Sequence, residues 1–76
     1  MDKERIIEII SEKLNVVESI ITHEADFVRN LGADSLDLIE LIFAFEDAFE
    51  IDIHDEDVQH IRTVQQAFDY LEKAGV

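Results

Sequence analysis

The stretch Leu31-Gly32-Ala33-Asp34-Ser35-Leu36-Asp37 contains the clearest helix start in this chain of 76 residues. Gly32 permits a tight turn, and either Asp34 or Ser35 can accept hydrogen bonds from the free N–H groups of a helix that begins there. Asp37 adds negative charge to the first turn, which the helix dipole favours. The stretch therefore predicts a turn followed by a helix N-terminus that carries a serine hydroxyl.

Ser35 has two interpretations at this position. The simpler one is that it only caps its helix, as serines before helices commonly do. The other is that it carries a phosphate group, because unpaired N–H groups and the positive end of the helix dipole converge at a helix N-terminus. The rest of the sequence bears on the choice.

The whole chain has helical periodicity. It contains no Pro and only two Gly, so few residues interrupt helices. Thr63 and Gln66 have the spacing of a capping box, and Gly75 stands where a last helix should end. The spacing of apolar residues predicts four helices, over Lys3–Asn15, Leu36–Glu50, Glu56–Ile61 and Thr63–Lys73.

These helices predict an all-α fold, a four-helix bundle of three longer helices and one short third helix, in a single domain over residues 1–76. The first connection is too long to be structureless in a compact domain. We expect Thr22 to cap a short turn in it. We also expect its apolar residues to pack over the core, namely Val16, Val17, Ile20, Ile21, Phe27, Val28 and Leu31.

The charge distribution restricts the partners. The net charge is −13, and the segment from Gly32 to Ile61 has ten acidic residues and no Lys or Arg. Nucleic acid requires a basic surface and anionic membranes repel an acidic one, so neither is expected as a stable partner. The expected partners are proteins with basic patches.

The second helix has two apolar faces. Its core stripe contains Leu38, Leu41, Ile42, Phe45, Ala48 and Phe49. The opposite side carries a second set of apolar residues between acids, namely Leu36, Ile39 and Phe43 between Asp37, Glu40, Asp47 and Glu50. Apolar clusters bordered by charge commonly mark protein interaction sites. Alternatively, the three apolar residues pack under the first loop or the short helix.

Metal and catalytic sites have little support. An EF-hand that begins at Asp52 would need Gly and Glu where this chain has Asp57 and Thr63, so only loose divalent binding around Asp52, Asp55, Glu56 and Asp57 stays open. No spacing places a His beside Ser35 for a catalytic triad. We therefore expect that the protein is not an enzyme. We also expect no metal centre, because the remaining candidate ligands are too scattered for zinc, namely His23, His54 and His60.

Membrane insertion and disulfides also lack a signal. The chain has no Cys, and its longest apolar run, Leu41–Phe45, is too short to span a bilayer. The first residues lack the basic region and cleavage site of a signal peptide. We expect a cytoplasmic monomer without stable membrane association.

The stretch at residues 31–37 resembles the phosphopantetheine site of the acyl carrier protein family. The resemblance covers essentially the whole chain, although His54 stands where the family usually has Pro. Three aromatic residues are bulkier than the aliphatic ones expected, namely Phe43, Phe45 and Phe68. The other matching segments follow in order: Glu40-Leu41, Glu46-Asp47, Ile51-Asp52-Ile53, Asp55-Glu56-Asp57 and Thr63-Val64-Gln65.

The resemblance implies that Ser35, between Asp34 and Leu36, carries 4′-phosphopantetheine and that acyl groups are held on it as thioesters. It also implies fatty acid biosynthesis, with fatty acid synthesis enzymes and a phosphopantetheinyl transferase as partners that bind the acidic second helix. A carrier for a dedicated polyketide, aminoacyl or lipid pathway is the alternative, as is an acidic interaction module without a cofactor.

An acyl chain attached at Ser35 would hang at the top of the second helix. We expect it to be sheltered between that helix and the short one, with Phe45 limiting its length. Burial of each methylene contributes roughly 0.8 kcal/mol. The expected pocket is formed by Phe27, Val28, Leu41, Ile42, Phe45, Ile53, Ile61, Ala67 and Tyr70.

Overall fold

Four α-helices and one short 3₁₀ helix make up the regular structure of the computed structural model, which describes residues 1–76. The helices are α1 (Lys3–Leu14), α2 (Ser35–Phe49), α3 (Asp55–Val58) and α4 (Val64–Lys73), and the 3₁₀ helix is Glu18–Ile20. The predicted all-α bundle with one short third helix is confirmed. The short helix ends earlier than predicted, because residues 59–60 form a turn and residues 61–62 lead into α4 without regular structure.

The ends of the helices follow from local chemistry. Asp2 accepts a hydrogen bond from the N–H of Arg5 at the start of α1. The C-caps that follow α1 and α2 are Asn15 and Glu50, whose φ angles of 55° and 54° lie in the left-handed region. The predicted capping box of α4 is present: the N–H of Gln66 donates to Oγ1 of Thr63, and the side chain of Gln66 accepts from the N–H of Thr63.

The core contains 17 buried residues, all of them apolar. They come from all three longer helices and from the segments between the helices. Burial of one large apolar side chain contributes about 1.5–3 kcal/mol, so these residues supply most of the stability of a chain this small. The largest fully buried ones are Phe27, Phe45, Phe68, Ile6, Ile10, Leu41, Leu71 and Val64.

The first loop is fixed to the segment that precedes α4. The N–H of Phe27 donates to the carbonyl of Arg62 at 2.9 Å, and the N–H of Val64 donates to the carbonyl of Ala25 at 3.0 Å. Between these bonds lies an isolated antiparallel bridge from Asp26 to Thr63. The loop therefore covers the start of α4.

The carboxylate of Asp26 organises the next turn. Its Oδ2 accepts hydrogen bonds from the N–H groups of Arg29 and Val28, each at 2.9 Å. The N–H of Arg29 has the largest effect and holds the pKa of Asp26 below its ordinary value of 3.8, with help from the N–H of Val28 and from nearby guanidinium groups. The ionised carboxylate thus stabilises the loop.

Several side-chain positions differ from the prediction. In the first loop Ile21, Phe27 and Leu31 are buried and Val16 is half-buried, but Val17, Ile20 and Val28 are exposed. Val17 and Ile20 are three residues apart at a 3₁₀ helix, so both project on the same side, away from the core. Thr22 forms its turn through its carbonyl, which accepts from the N–H of Ala25, rather than through a side-chain cap.

In α2, Leu41, Ile42 and Phe45 are buried, whereas Leu38 and Phe49 are half-buried. Ala48 is exposed, and its assignment to the core stripe was wrong. It lies at the edge of the stripe in the last turn of the helix, beyond the most deeply buried part of that stripe.

Candidate functional site

The start of α2 has a reciprocal cap that does not use Ser35. Oδ1 of Asp34 accepts from the N–H of Asp37 at 2.8 Å, and Oδ2 of Asp37 accepts from the N–H of Asp34 at 3.0 Å. Asp34 is therefore the N-cap, and Ser35 is the first helical residue. The hydroxyl of Ser35 is exposed and makes no hydrogen bond within the protein. The interpretation of Ser35 as a mere helix cap is wrong.

The turn before Ser35 is anchored on the core. Gly32 has a φ angle of 76°, in the region that favours glycine, and a Cβ added there would meet no atom within 4 Å. Leu31 and Ala33 on either side are buried, and the N–H of Ala33 donates to the carbonyl of Phe27 at 2.9 Å. The turn is therefore held against the core, and Ser35, which follows it, is exposed to solvent.

Two backbone donors accompany the hydroxyl. The N–H of Leu38 already pairs with the carbonyl of Asp34, and that of Asp37 pairs with the Asp34 side chain. The N–H groups of Ser35 and Leu36 have no partner within the protein. Free N–H groups at the positive end of a helix dipole favour a phosphate. The site thus combines an accessible nucleophilic oxygen with donors for a phosphodiester.

The sequence comparisons agree with this geometry. Residues 4–71 match the protein family described as "Phosphopantetheine attachment site". The chain is 54% identical over 69 residues to the acyl carrier protein of Syntrophobacter fumaroxidans, an alignment that covers 91% of this chain and 85% of that protein. This chain belongs to the acyl carrier protein family. It is a carrier rather than an enzyme, and the prosthetic group of its family is phosphopantetheine.

The side of α2 that faces away from the core is both apolar and acidic. Leu36, Ile39 and Phe43 are 62%, 47% and 61% exposed, so they are not packed under the loop or the short helix. Glu40, Asp47 and Glu50 are exposed beside them, while Asp37 is half-buried in the capping box. We call these seven residues the outer face of α2.

Glu46 has a role that the sequence did not indicate. It is half-buried, and its Oε2 accepts a hydrogen bond from the N–H of Ile53 at 2.8 Å. The bond ties the segment after α2 back to that helix. The two residues lie seven positions apart, with the helix end between them, and no local pattern predicts such a pair.

Two apolar grooves flank α3. The larger, of about 440 Å³, is lined by Ile39, Ile42, Phe43, Glu46, Ile53, Asp55 and Val58. The smaller, of about 130 Å³, is lined by Phe27, Val28, Leu38, Val58, Gln59, Ile61 and Arg62. Val58 lines both grooves, and sequence reasoning missed it because it lies outside the stripe of any longer helix.

The structure divides the predicted acyl pocket. Phe27, Val28 and Ile61 line the smaller groove, and Ile42 and Ile53 line the larger one. The others do not line these grooves: Leu41, Phe45 and Ala67 are buried within the core, and Tyr70 is half-buried beside a separate groove of about 180 Å³. Large side chains such as Phe45 fill the interior, so the predicted set does not form one cavity.

Tyr70 links α4 to α3. Its hydroxyl donates to Oδ2 of Asp57 at 3.0 Å. Desolvation and then the hydrogen bond to the Asp57 carboxylate raise the pKa of Tyr70 above its ordinary value of 10.0. The neutral phenol is therefore favoured as the donor.

The acidic residues around α3 do not converge on one point. No group of three or more His, Cys, Asp or Glu residues has an arrangement that could hold a metal ion. Asp57 is bound to Tyr70, and Nδ1 of His23 lies 2.9 Å from Oε1 of Gln65.

None of the helices has the length and apolar content needed to cross a membrane.

Proposed function

We propose that this chain carries acyl intermediates of fatty acid biosynthesis as thioesters on 4′-phosphopantetheine attached to Ser35. One observation supports the attachment site most strongly: Asp34 caps α2, which leaves the Ser35 hydroxyl exposed and unbonded. Ser11 offers a contrast, because its hydroxyl donates to the carbonyl of Val16 and is engaged in the end of α1.

Each part of the site then has a defined task. A phosphopantetheinyl transferase would join Oγ of Ser35 to the phosphate of the pantetheine half of coenzyme A. The pyrophosphate bond would break, the nucleotide half would leave, and the hydroxyl would lose its proton. The free N–H groups of Ser35 and Leu36 would be available as hydrogen-bond donors to that phosphate. When attached, the group supplies a terminal thiol that holds the acyl chain as a thioester. The chain itself positions this group and catalyses nothing.

The outer face of α2 is proposed as the docking surface for fatty acid synthesis enzymes and for a phosphopantetheinyl transferase. Its acidic residues would steer partners with basic patches, and its exposed apolar residues would slow their dissociation. No Lys or Arg between Gly32 and Ile61 opposes such partners. We propose that the chain acts as a monomer in the cytoplasm.

The apolar grooves beside α3 support an aliphatic cargo. Five of the seven residues that line the larger groove are hydrophobic, which suits a hydrocarbon chain better than a polar aminoacyl group. Carriers of polyketide or lipid pathways hold cargo of similar polarity. Intact mass spectrometry of the protein isolated from its own cells identifies the chains. A series of saturated chains that differ by two carbons supports the proposal, whereas a single branched, aromatic or aminoacyl group contradicts it.

The docking surface is tested with matched charge reversals. Glu40→Lys should weaken association with a fatty acid synthesis enzyme and flatten its salt dependence, because Glu40 lies on the outer face of α2. Phe43→Ala should mainly increase the dissociation rate. Glu12→Lys, an exposed site on α1, is the control. Equal loss of affinity from Glu12→Lys and Glu40→Lys would contradict the assignment of the surface.

A further inference from the structure

Two side-chain hydrogen bonds connect the α3 region to the longer helices. In residues 52–61, the N–H of Ile53 donates to Oε2 of Glu46 on α2 at 2.8 Å, and Oδ2 of Asp57 accepts from the hydroxyl of Tyr70 on α4 at 3.0 Å. The backbone–backbone hydrogen bonds of this segment are all internal, and Nε of the adjacent Arg62 donates to the carbonyl of Gln59. One tie therefore holds each side of α3.

Few apolar contacts assist these ties. Ile53 and Ile61 are buried at the two ends of the segment, and within α3 only Val58 has an apolar side chain, which is half-buried. A four-residue helix cannot form by its own propensity, so its position depends on these few contacts. Segments with few buried apolar contacts open more readily than the core.

The position of α3 determines whether the two grooves are separate. Val58 is the only residue of the chain that lines both the 440 Å³ groove and the 130 Å³ groove. On α2, Ile42 lies in the first and Leu38 in the second, one helical turn apart. If α3 moves outward with Val58, one continuous apolar channel runs along this side of α2.

We propose that Glu46 and Tyr70 are positioning residues that hold α3 closed, and that release of the bond from Tyr70 to Asp57 joins the two grooves for long acyl chains. The inference rests on the proposed function for its acyl cargo. The two hydrogen bonds that hold α3 are observed independently of that function. In the closed state a chain occupies the larger groove up to Val58. In the open state it continues into the smaller groove.

The opening is measured first on the protein without cargo. Tyr70→Phe removes only the hydroxyl, and it should speed amide hydrogen exchange of Asp57, Val58 and Ile61 by about 3- to 10-fold, the factor expected for one ordinary hydrogen bond. Amides of Ile9 and Ile10 in α1 should keep the wild-type rates. Unchanged rates around α3, or a uniform increase in all helices, would overturn the role of Tyr70.

Variants of the partner carboxylates separate a specific tie from a general loss of stability. Asp57→Asn retains an oxygen acceptor and should exchange almost as slowly as wild type, whereas Asp57→Ala should match Tyr70→Phe. The double variant with Tyr70→Phe and Asp57→Ala should exchange no faster than either single variant, because both remove the same bond. Additive effects would overturn the pairing. Glu46→Ala should speed exchange at Ile53, and Glu46→Gln should restore it.

The cargo is tested with wild type and Tyr70→Phe loaded with four- and fourteen-carbon chains, with loading verified by intact mass. The variant should gain more in melting temperature from the fourteen-carbon chain than wild type does, and equally from the four-carbon chain. Equal gains from both chains in both proteins would overturn the link between α3 and chain length. Failure of Ser35 to accept any acyl-phosphopantetheine would instead contradict the proposed function and leave the exchange results unaffected.

Discussion

The helices α2 and α4 begin with the same local device and differ in what covers it. Both have a capping box, formed by Asp34 and Asp37 in α2 and by Thr63 and Gln66 in α4. In α4 the next donors are also used: the N–H of Val64 pairs with the carbonyl of Ala25 in the first loop. The first residue of α4 is therefore inside the protein, with Val64 at 0% exposure.

At α2 the equivalent positions are open. Ser35 and Leu36 are exposed, and their N–H groups have no partner within the protein. In α4 the second N–H, of Gln65, donates to the carbonyl of His23 at 2.9 Å. A helix start thus becomes a chemical site only where no neighbouring segment takes up its donors, and the cap sequence alone does not distinguish the two cases.

The largest expected effect is on the attachment of phosphopantetheine at the uncovered N-terminus of α2. Ser35→Ala should abolish transfer of phosphopantetheine from coenzyme A by a transferase, because no other residue combines a free hydroxyl with an uncovered helix N-terminus. Intact mass after the reaction measures it. Thr63→Ala, at the covered start, should be modified fully once folded. Addition of the prosthetic group to Ser35→Ala would break the contrast between the two helices.

Substitution of the first helical residue should lower the stability of the protein at α4 but not at α2. Val64→Ser should lower the free energy of unfolding by about 2–3 kcal/mol, because it removes buried apolar atoms and buries a hydroxyl. Ser35→Val should change it by less than about 0.5 kcal/mol, since the side chain is exposed. Urea denaturation measures both. Similar losses in the two variants would show that the start of α2 is also covered.

The caps themselves should be nearly equivalent. Thr63→Ala and Asp34→Ala should each lower the free energy of unfolding by about 1 kcal/mol, because each leaves one helix donor unpaired. Thermal unfolding and urea denaturation measure the change, with Thr63→Ser and Asp34→Asn as controls that retain a capping oxygen. A negligible effect of Asp34→Ala would contradict the assignment of Asp34 as the cap of α2.

The smallest expected effect is a pH dependence in the loop that covers α4. Because the pKa of Asp26 is lowered in the folded state, its stabilisation is complete above the ordinary value of 3.8 and is lost as the pH falls through the folded value. Asp26→Asn should therefore be less stable than wild type near pH 6, and the difference should shrink below about pH 4. Urea denaturation at several pH values measures it. A difference that grows in acid would contradict the sign.

Much of the fold was predictable because the signals are local. Helix periodicity placed α1, α2 and α4 within one or two residues of their observed bounds, and the capping box of Thr63 and Gln66 is present as predicted. Exposure of Leu36, Ile39 and Phe43 also agreed with the apolar face that the helical wheel identified. The exposed positions of Val17 and Ile20 were not predictable, because a 3₁₀ turn rather than a helix or strand determines their direction.

The features of the candidate site also separate into those that local sequence predicts and those that depend on tertiary contacts. The sequence by itself determined a helix start with two candidate caps, an acidic surface and a resemblance in register over the chain, because these depend on residue types and spacing. Only the tertiary structure decided that Asp34 caps α2 and leaves the Ser35 hydroxyl free, that Glu46 and Tyr70 form hydrogen bonds with the α3 region, and that Val58 lines both grooves. Each of these depends on contacts across a turn or between helices, and spacing along the chain does not encode the geometry that closes them.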